Sequence, residues 1–349
     1  MHELPSKDSF SQRLDGKEVK LICLQNKAGW RAALTNYGAR LVTLLIPDRQ
    51  GKRINVVAGF DSLEDYLNST EHYYGATVGR YANRIANAQF FIEETAYYLE
   101  SVDPSYCLHG GPKGFHVKVW SIESVSDSEV VFHYTSPDGE MGFPGNLTTR
   151  VIYTLTDDGL RIQYEASTDK PTVCNLTHHS FFNLNGTGLV EEHALIINAD
   201  YFLPLNSHLV PTGQIASVQD SPFDFRQPTP LGTRIGSAHP QLVMAGGYDH
   251  NYVLQKKPGE PAAVAIGNLS GITMRLYTDK PGLQLYTGNG LSGNNKLANG
   301  NYDFPRTSFC LEPQFFPNSP NEPTFPSALL LPGQRYQSVT ELKFSSGLL

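Results

Sequence analysis

Apolar and polar residues alternate with a period of two along much of this 349-residue chain. Leu160, Ile162, Tyr164 and Ala166 fall on one side of an extended segment, with Arg161, Gln163 and Glu165 on the other. That is the pattern of a strand with one buried face. The apolar run 151–155 precedes it across Asp157, Asp158 and Gly159, a turn-forming trio, so the two segments predict a hairpin. The same reading predicts strands at 19–25, 31–35, 41–46, 89–92, 130–135, 272–278 and 283–287. Helical periodicity is rare; the best stretch is 62–67, with Asp61 placed to cap it. Turn-rich stretches at 103–114, 137–146, 217–250, 292–305 and 313–326 separate these elements. Loops of such length inside a folded domain usually carry function, and part of 217–250 is expected to hold short strands.

Composition agrees with an all-β chain. Eighteen Tyr and 18 Phe, with 31 Gly and 23 Pro, suit many strands joined by many turns. Hydrophobic residues make up 40%, enough for a substantial core. No repeat and no shift in composition marks a boundary, so a single domain over 1–349 is expected, with 1–15 a peripheral or poorly ordered segment. Only 17% of residues are charged and the net charge is −7, without a Lys/Arg run, which gives no reason to expect nucleic acid as a partner. No apolar stretch approaches the roughly 18 residues of a membrane span. The N-terminal residues contain no apolar signal core, so the chain reads as cytoplasmic. Cys23, Cys107, Cys174 and Cys310 are widely spaced, with no CxxC pair for a zinc ribbon or a redox motif.

The informative residues are polar ones embedded in apolar surroundings. From Gly75 to Ile85, two glycines four apart precede Arg80, Asn83 and Arg84, but neither a dinucleotide nor a Walker fingerprint is present. His109 is followed by Gly110 and Gly111, as at a sharp backbone turn. His178 and His179 are adjacent, so on a strand they face opposite ways and only one can line a given pocket. That spacing is also wrong for a zinc pair. Asp249 opens a strand-like run, and Gln284 alternates with Leu283 and Leu285. Glu312 stands alone among Leu311, Pro313, Phe315 and Phe316, where burial would raise a carboxylate's pKa into the range of a general base. An ion-paired structural glutamate is the other reading of that position.

These blocks, in this order, from Asn36, Tyr37, Gly38 and Ala39 through residues 142–147 to Leu331, Pro332 and Gly333, resemble the aldose 1-epimerase (galactose mutarotase) family. The resemblance implies a β-supersandwich of many antiparallel strands with few short helices and a sugar cleft on a concave face. It also implies a cofactor-free and metal-free acid/base isomerase acting on a monosaccharide, as a monomer or homodimer, with Glu312 as base and His179 as acid. Asn83, Arg84, His109, Phe181, Asp249 and Gln284 match its sugar-binding positions. Asp249 and Arg84 are expected to orient the hexose, and His109 to assist at the ring oxygen. Three departures stand out: His178 replaces a frequent Asn, Phe181 a frequent Tyr, and Pro313 a frequent Thr. The second removes a hydroxyl that could meet the sugar. A hexose-6-phosphate mutarotase would need a further cationic cluster, with Arg80 and Arg84 as the close pair on offer. A carbohydrate-binding module would need no acid and base, and a glycoside hydrolase would need two carboxylates, such as Glu312 and Asp249.

Overall fold

Strands with one apolar face must have that face covered, and here three antiparallel sheets cover one another. The computed structural model describes residues 3–255, 257 and 259–346. Among them, the longest sheet runs in the order Ser121–Val125, Glu129–Ser136, Leu147–Leu155, Gly159–Thr168, Tyr336–Ser346, Ile272–Thr278, Ala263–Ile266, Ala194–Ile197 and Thr229–Pro230. A second sheet runs Phe181–Phe182, Phe309–Gln314, Gly282–Tyr286, Asp249–Val253, Tyr201–Phe202 and Ala216–Ser217. A third joins Leu21–Gln25, Arg31–Thr35, Arg40–Pro47 and Arg53–Asn55. One continuous core draws Val151, Ile162 and Leu342 from the first sheet, Leu283 and Leu311 from the second, and Leu34 and Leu44 from the third. Helices among the described residues are short, at Leu63–Asn68, Gly232–Ile235 and Pro240–Ala245. The expected all-β sandwich is the result, and none of these helices is long and apolar enough to cross a membrane.

The expected hairpin pairs Leu147–Leu155 with Gly159–Thr168, closing at Leu155 opposite Leu160. Other boundaries moved for local reasons. Ser62, not Asp61, caps the first helix: its backbone is extended and its Oγ accepts from the Asp65 N–H at 3.2 Å. The stretch 103–114 hides Tyr106–Leu108, paired with Arg84–Ala86, and 217–250 holds Thr229–Pro230 and two helices. The strand carrying Glu312 continues to Gln314 rather than ending at Pro313. There the neighbouring Phe181–Phe182 has already ended, and the N–H of Phe315, two residues on, bonds the Asn175 side chain rather than a strand. Pro313 thus lies where its edge needs no ladder donor. Near the N-terminus, Gln12–Leu14 pairs with Lys17–Val19, and Phe10 is fully buried, 6.2 Å from the Tyr66 ring, which anchors a segment expected at the periphery. All four cysteines are unpaired.

Two buried guanidinium groups hold the loops around the second sheet. Arg40, 1% exposed, donates to the carbonyl oxygens of Tyr74, His72 and His116 at 2.7–2.8 Å, with the Tyr37 and Tyr66 rings against its faces. Arg80 donates to the carbonyls of Ser136, Pro137 and Pro144 and to Ser136 Oγ. Each cation therefore satisfies carbonyls that irregular backbone cannot pair with itself. Arg40→Met keeps volume but leaves three carbonyls without a donor, each worth about 1–3 kcal/mol. We expect a loss of about 3 kcal/mol or more, read as a lowered urea midpoint at unchanged m; a loss below about 1 kcal/mol would show that the loops stand without it.

Candidate active site

Two-residue alternation, which buries the core side of the second sheet, places polar groups on its other side. In Phe309–Gln314, the apolar Phe309 and Leu311 point to the core, and Cys310, Glu312 and Gln314 point away. Gln284 lies directly across from Glu312 on one side and Asn251 on the other, while Tyr286 pairs with both Cys310 and Asp249. The ladder therefore sets Asn251, Gln284 and Glu312 in one row, with Asp249 two residues along from Asn251 on the same strand face, where Gln284 Nε2 donates to Asp249 Oδ1 at 2.7 Å. Arg84 reaches the other Asp249 oxygen at 3.7 Å and lies over the Tyr106 ring.

The strand Thr177–His179, paired with Ala76–Val78, separates the two adjacent histidines. His179 turns toward Glu312, its Nε2 3.6 Å from Oε1 and its Nδ1 3.5 Å from Cys310 Sγ. His178 turns inward, wholly buried, with Nδ1 3.3 Å from Ser180 Oγ. Asn83 and His109 hold each other from separate loops. Both have left-handed backbone; the Asn83 N–H donates to His109 Nδ1 at 3.0 Å, and the His109 N–H donates to the Asn83 carbonyl at 3.0 Å. A backbone N–H can only donate, so His109 Nδ1 is unprotonated and its ring proton sits on Nε2. The glycine after His109 is required, because a Cβ on Gly110 would run into the carbonyl of Gly79.

Burial governs the charges here. Glu312 is 2% exposed; burial, then the neighbouring Asp249 and Glu71 carboxylates, raise its pKa well above the usual carboxylate value. Burial lowers His179 to about 3 and also holds His109 well below the ordinary value. His179 and Glu312 are within ion-pair distance at 3.6 Å, but loss of hydration favours the neutral form of each. Glu312 Oε2, Gln284 Oε1 and Arg84 Nε are buried without a hydrogen-bond partner. Orphaned polar atoms grouped in this way mark a place where a polar ligand completes the network.

Of the residues singled out from the sequence, Glu312, His179, His109, Asn83, Arg84, Asp249 and Gln284 line this linked set. Phe181 stands apart: its ring is fully buried, 4.9 Å from His179 and 4.5 Å from Tyr74, so it supports the imidazole from beneath and presents no surface. Sequence reading missed four neighbours. Cys310 and Tyr286 lie two residues from Glu312 and Gln284 on the same strand faces, so strict alternation could have found them. Glu71 and Tyr73 come from a loop without periodicity. The Tyr73 ring packs 4.6 Å from His109, 4.6 Å from His116 and 5.5 Å from His179, shielding all three. Glu71 accepts from the Tyr73 N–H, and burial raises it to about 7. His109, His179 and Glu312 also offer donor atoms within 4.8 Å of one another, a trio able to ligate a divalent cation or to surround a pair of sugar oxygens. No adjacent pair in the sequence announces that trio, since three separate segments supply it.

Comparison with known proteins agrees with this architecture. The sequence profile of the aldose 1-epimerase family matches residues 20–343. The chain is 40% identical to galactose mutarotase of Rattus norvegicus over 98% of its length and 96% of the relative's. It is 37% identical to aldose 1-epimerase of Escherichia coli, with 95% and 96% covered. Among solved structures, the galactose 1-epimerase of Lactobacillus acidophilus superposes with a TM-score of 0.85 at 30% identity, covering 97% of each chain. An aldose epimerase homologue from C. elegans gives 0.86 at 31% identity, covering 95% of this chain and all of that one. On these grounds the chain belongs to the aldose 1-epimerase family.

Proposed function

We propose that this protein is a mutarotase, interconverting the α and β anomers of free aldohexoses such as galactose and glucose. The observation that carries the reading is the pairing of a buried, pKa-raised Glu312 with His179 at 3.6 Å, amid buried polar atoms that lack partners. Opening a pyranose needs a base at the C1 hydroxyl and an acid at the ring oxygen. In the reacting tautomer of the pair the shared proton lies on His179, so the Glu312 carboxylate takes the hydroxyl proton while the His179 imidazolium gives its Nε2 proton to the ring oxygen, which returns both groups to their neutral forms. The C1–C2 bond then turns, and both transfers reverse on closure. His109, with its proton on Nε2, donates a hydrogen bond at the ring oxygen. Arg84, Asp249, Gln284 and Asn83 hold the hydroxyls, and a misplaced hydroxyl would leave one of these groups unpaired. The reaction involves no redox change and no phosphoryl transfer, so the reading calls for no cofactor.

Rival readings fit less well. A 6-phosphate would need a cationic cluster, and the Arg80 guanidinium is committed to backbone carbonyls and Ser136, 2% exposed, while Arg84 already faces Asp249. A purely sugar-binding protein has no use for a carboxyl of raised pKa against an imidazole. The unpaired cysteines suit a reducing compartment, and we assign the protein to the cytoplasm.

Glu312→Gln should lower kcat by about 10²–10⁴-fold, followed by polarimetry of freshly dissolved α-D-glucose and α-D-galactose. Equal rates for wild type, variant and buffer would remove the enzymatic reading. The pH profile follows from a dyad that works with one shared proton. A second proton would create a buried imidazolium, so acid loss should set in below histidine's ordinary 6.5. Removing the single proton would leave a lone buried carboxylate, so alkaline loss should set in above the ordinary 4.5. Glu71→Gln keeps the acceptor for Tyr73 and removes a negative charge that raises Glu312. The alkaline midpoint of kcat/KM should therefore move down with KM unchanged; a midpoint that stays or rises contradicts the coupling.

A further inference from the structure

Away from Glu312 and His179, a cavity of about 410 Å³ opens between segments 183–189 and 297–307, within the roughly 300–1,000 Å³ of small-molecule sites. We propose that it is a second saccharide site, taking an uncharged pyranoside against Tyr302 and Phe304. This assignment does not rest on the catalytic reading.

The walls are tied together before any ligand arrives. Asn183 Nδ2 donates to the carbonyls of Gly188 and Thr307, Asn299 Nδ2 to that of Gly186, and Asn301 Nδ2 to Thr187 Oγ1, all at 2.8–3.0 Å. Asp303, fully buried, accepts from the Asn295 backbone and side chain and from the Tyr74 hydroxyl. With Asp303 turned inward, Tyr302 and Phe304 on either side turn outward, 48% and 55% exposed. Two aromatic rings are thus held in water at the cavity wall by a buried anchor between them, with Leu189 also exposed at 52%.

The chemistry of the lining selects the ligand. The described lining residues include no Asp, Glu, Lys, Arg or His. In a chain with 27 basic and 34 acidic residues, that lining disfavours phosphates, carboxylates and cations, which would lose hydration without gaining a counter-charge. Hydrogen-bonding capacity remains. Asn55 Oδ1 is used by the N–H groups of Leu44 and Val57, which leaves its Nδ2 as a donor. Thr187 Oγ1 accepts from Asn301, leaving its O–H to donate, and Asn301 Oδ1 is open as an acceptor. Neutral donors and acceptors beside aromatic faces match a sugar ring, which presents hydroxyls at its edge and C–H groups on its face.

The test uses the full-length protein with methyl α-D-glucopyranoside and methyl β-D-galactopyranoside, which lack a free anomeric hydroxyl and cannot mutarotate. Hydrogen exchange followed by mass spectrometry should show protection of 183–189 and 297–307 by at least one glycoside. Tyr302→Ala/Phe304→Ala should weaken that protection at least about tenfold, with mutarotation within twofold of wild type. Leu189→Asp, a change at an exposed position that brings a charge into the cavity, should do the same without disturbing the aromatic loop. Protection of the catalytic strands alone, no protection by either glycoside, or equal protection in wild type and both variants overturns the proposal.

Discussion

The register of the second sheet is the constraint on which the active site depends. Antiparallel pairing sets Gln284 opposite Glu312 and Asn251, and Phe181 opposite Cys310. A slip of one residue in any of these strands would exchange its two faces, sending Leu311 or Leu285 into the cleft and Glu312 or Gln284 into the core. The apolar cost of that exchange is what holds the polar groups in line. Packing behind the sheet and chemistry in front of it are two readings of the same alternation.

The second requirement is that irregular backbone around the sheet be satisfied without strands. Arg40 and Arg80 meet it from inside, each bonding several carbonyls at once. Arg80 and Arg84 are four positions apart, yet one is an internal tie and the other stands at Asp249 beside the cleft. Between them lies Asn83, whose left-handed backbone turns the chain and engages His109. Position relative to that turn, rather than residue type, decides which arginine is structural.

Much of the fold was legible because long strands with one wet face write their pattern openly. Gly159–Thr168 shows it plainly, with Leu160, Ile162 and Tyr164 buried and Arg161 exposed. Phe309–Gln314 is buried on both faces, so its alternation is visible only as chemistry, in Glu312 between Leu311 and Pro313. Glu312 could be picked out for that reason. His179 could not be preferred over His178 on physical grounds, since the choice depends on how a three-residue strand is rotated against Ala76–Val78. Glu71 and Tyr73 were illegible because packing, not period, brings their loop against three imidazoles. The helix cap missed by one residue for a similar reason: Asp61 and Ser62 are both good caps, and only backbone geometry chooses between them.

The buried imidazoles have a consequence beyond the cleft, in the environments where this protein can stay folded. His109, His116, His178, His179, His193 and His250 are all held neutral below their ordinary pKa, chiefly by burial. Between about pH 6.5 and its own lowered value, each takes up a proton only when the chain unfolds. Stability that is complete above that pH is therefore drawn down as the solution acidifies, by about 1.4 kcal/mol per pH unit for each histidine. The raised carboxyls of Glu71 and Glu312 act in the opposite sense, since the folded chain keeps their protons when the unfolded chain has lost them. Six sites against two leave the balance with the imidazoles. Imidazoles buried in the cleft and behind it thus tie the stability of the whole molecule to the acidity of its surroundings, and acidification weakens the fold as well as the dyad.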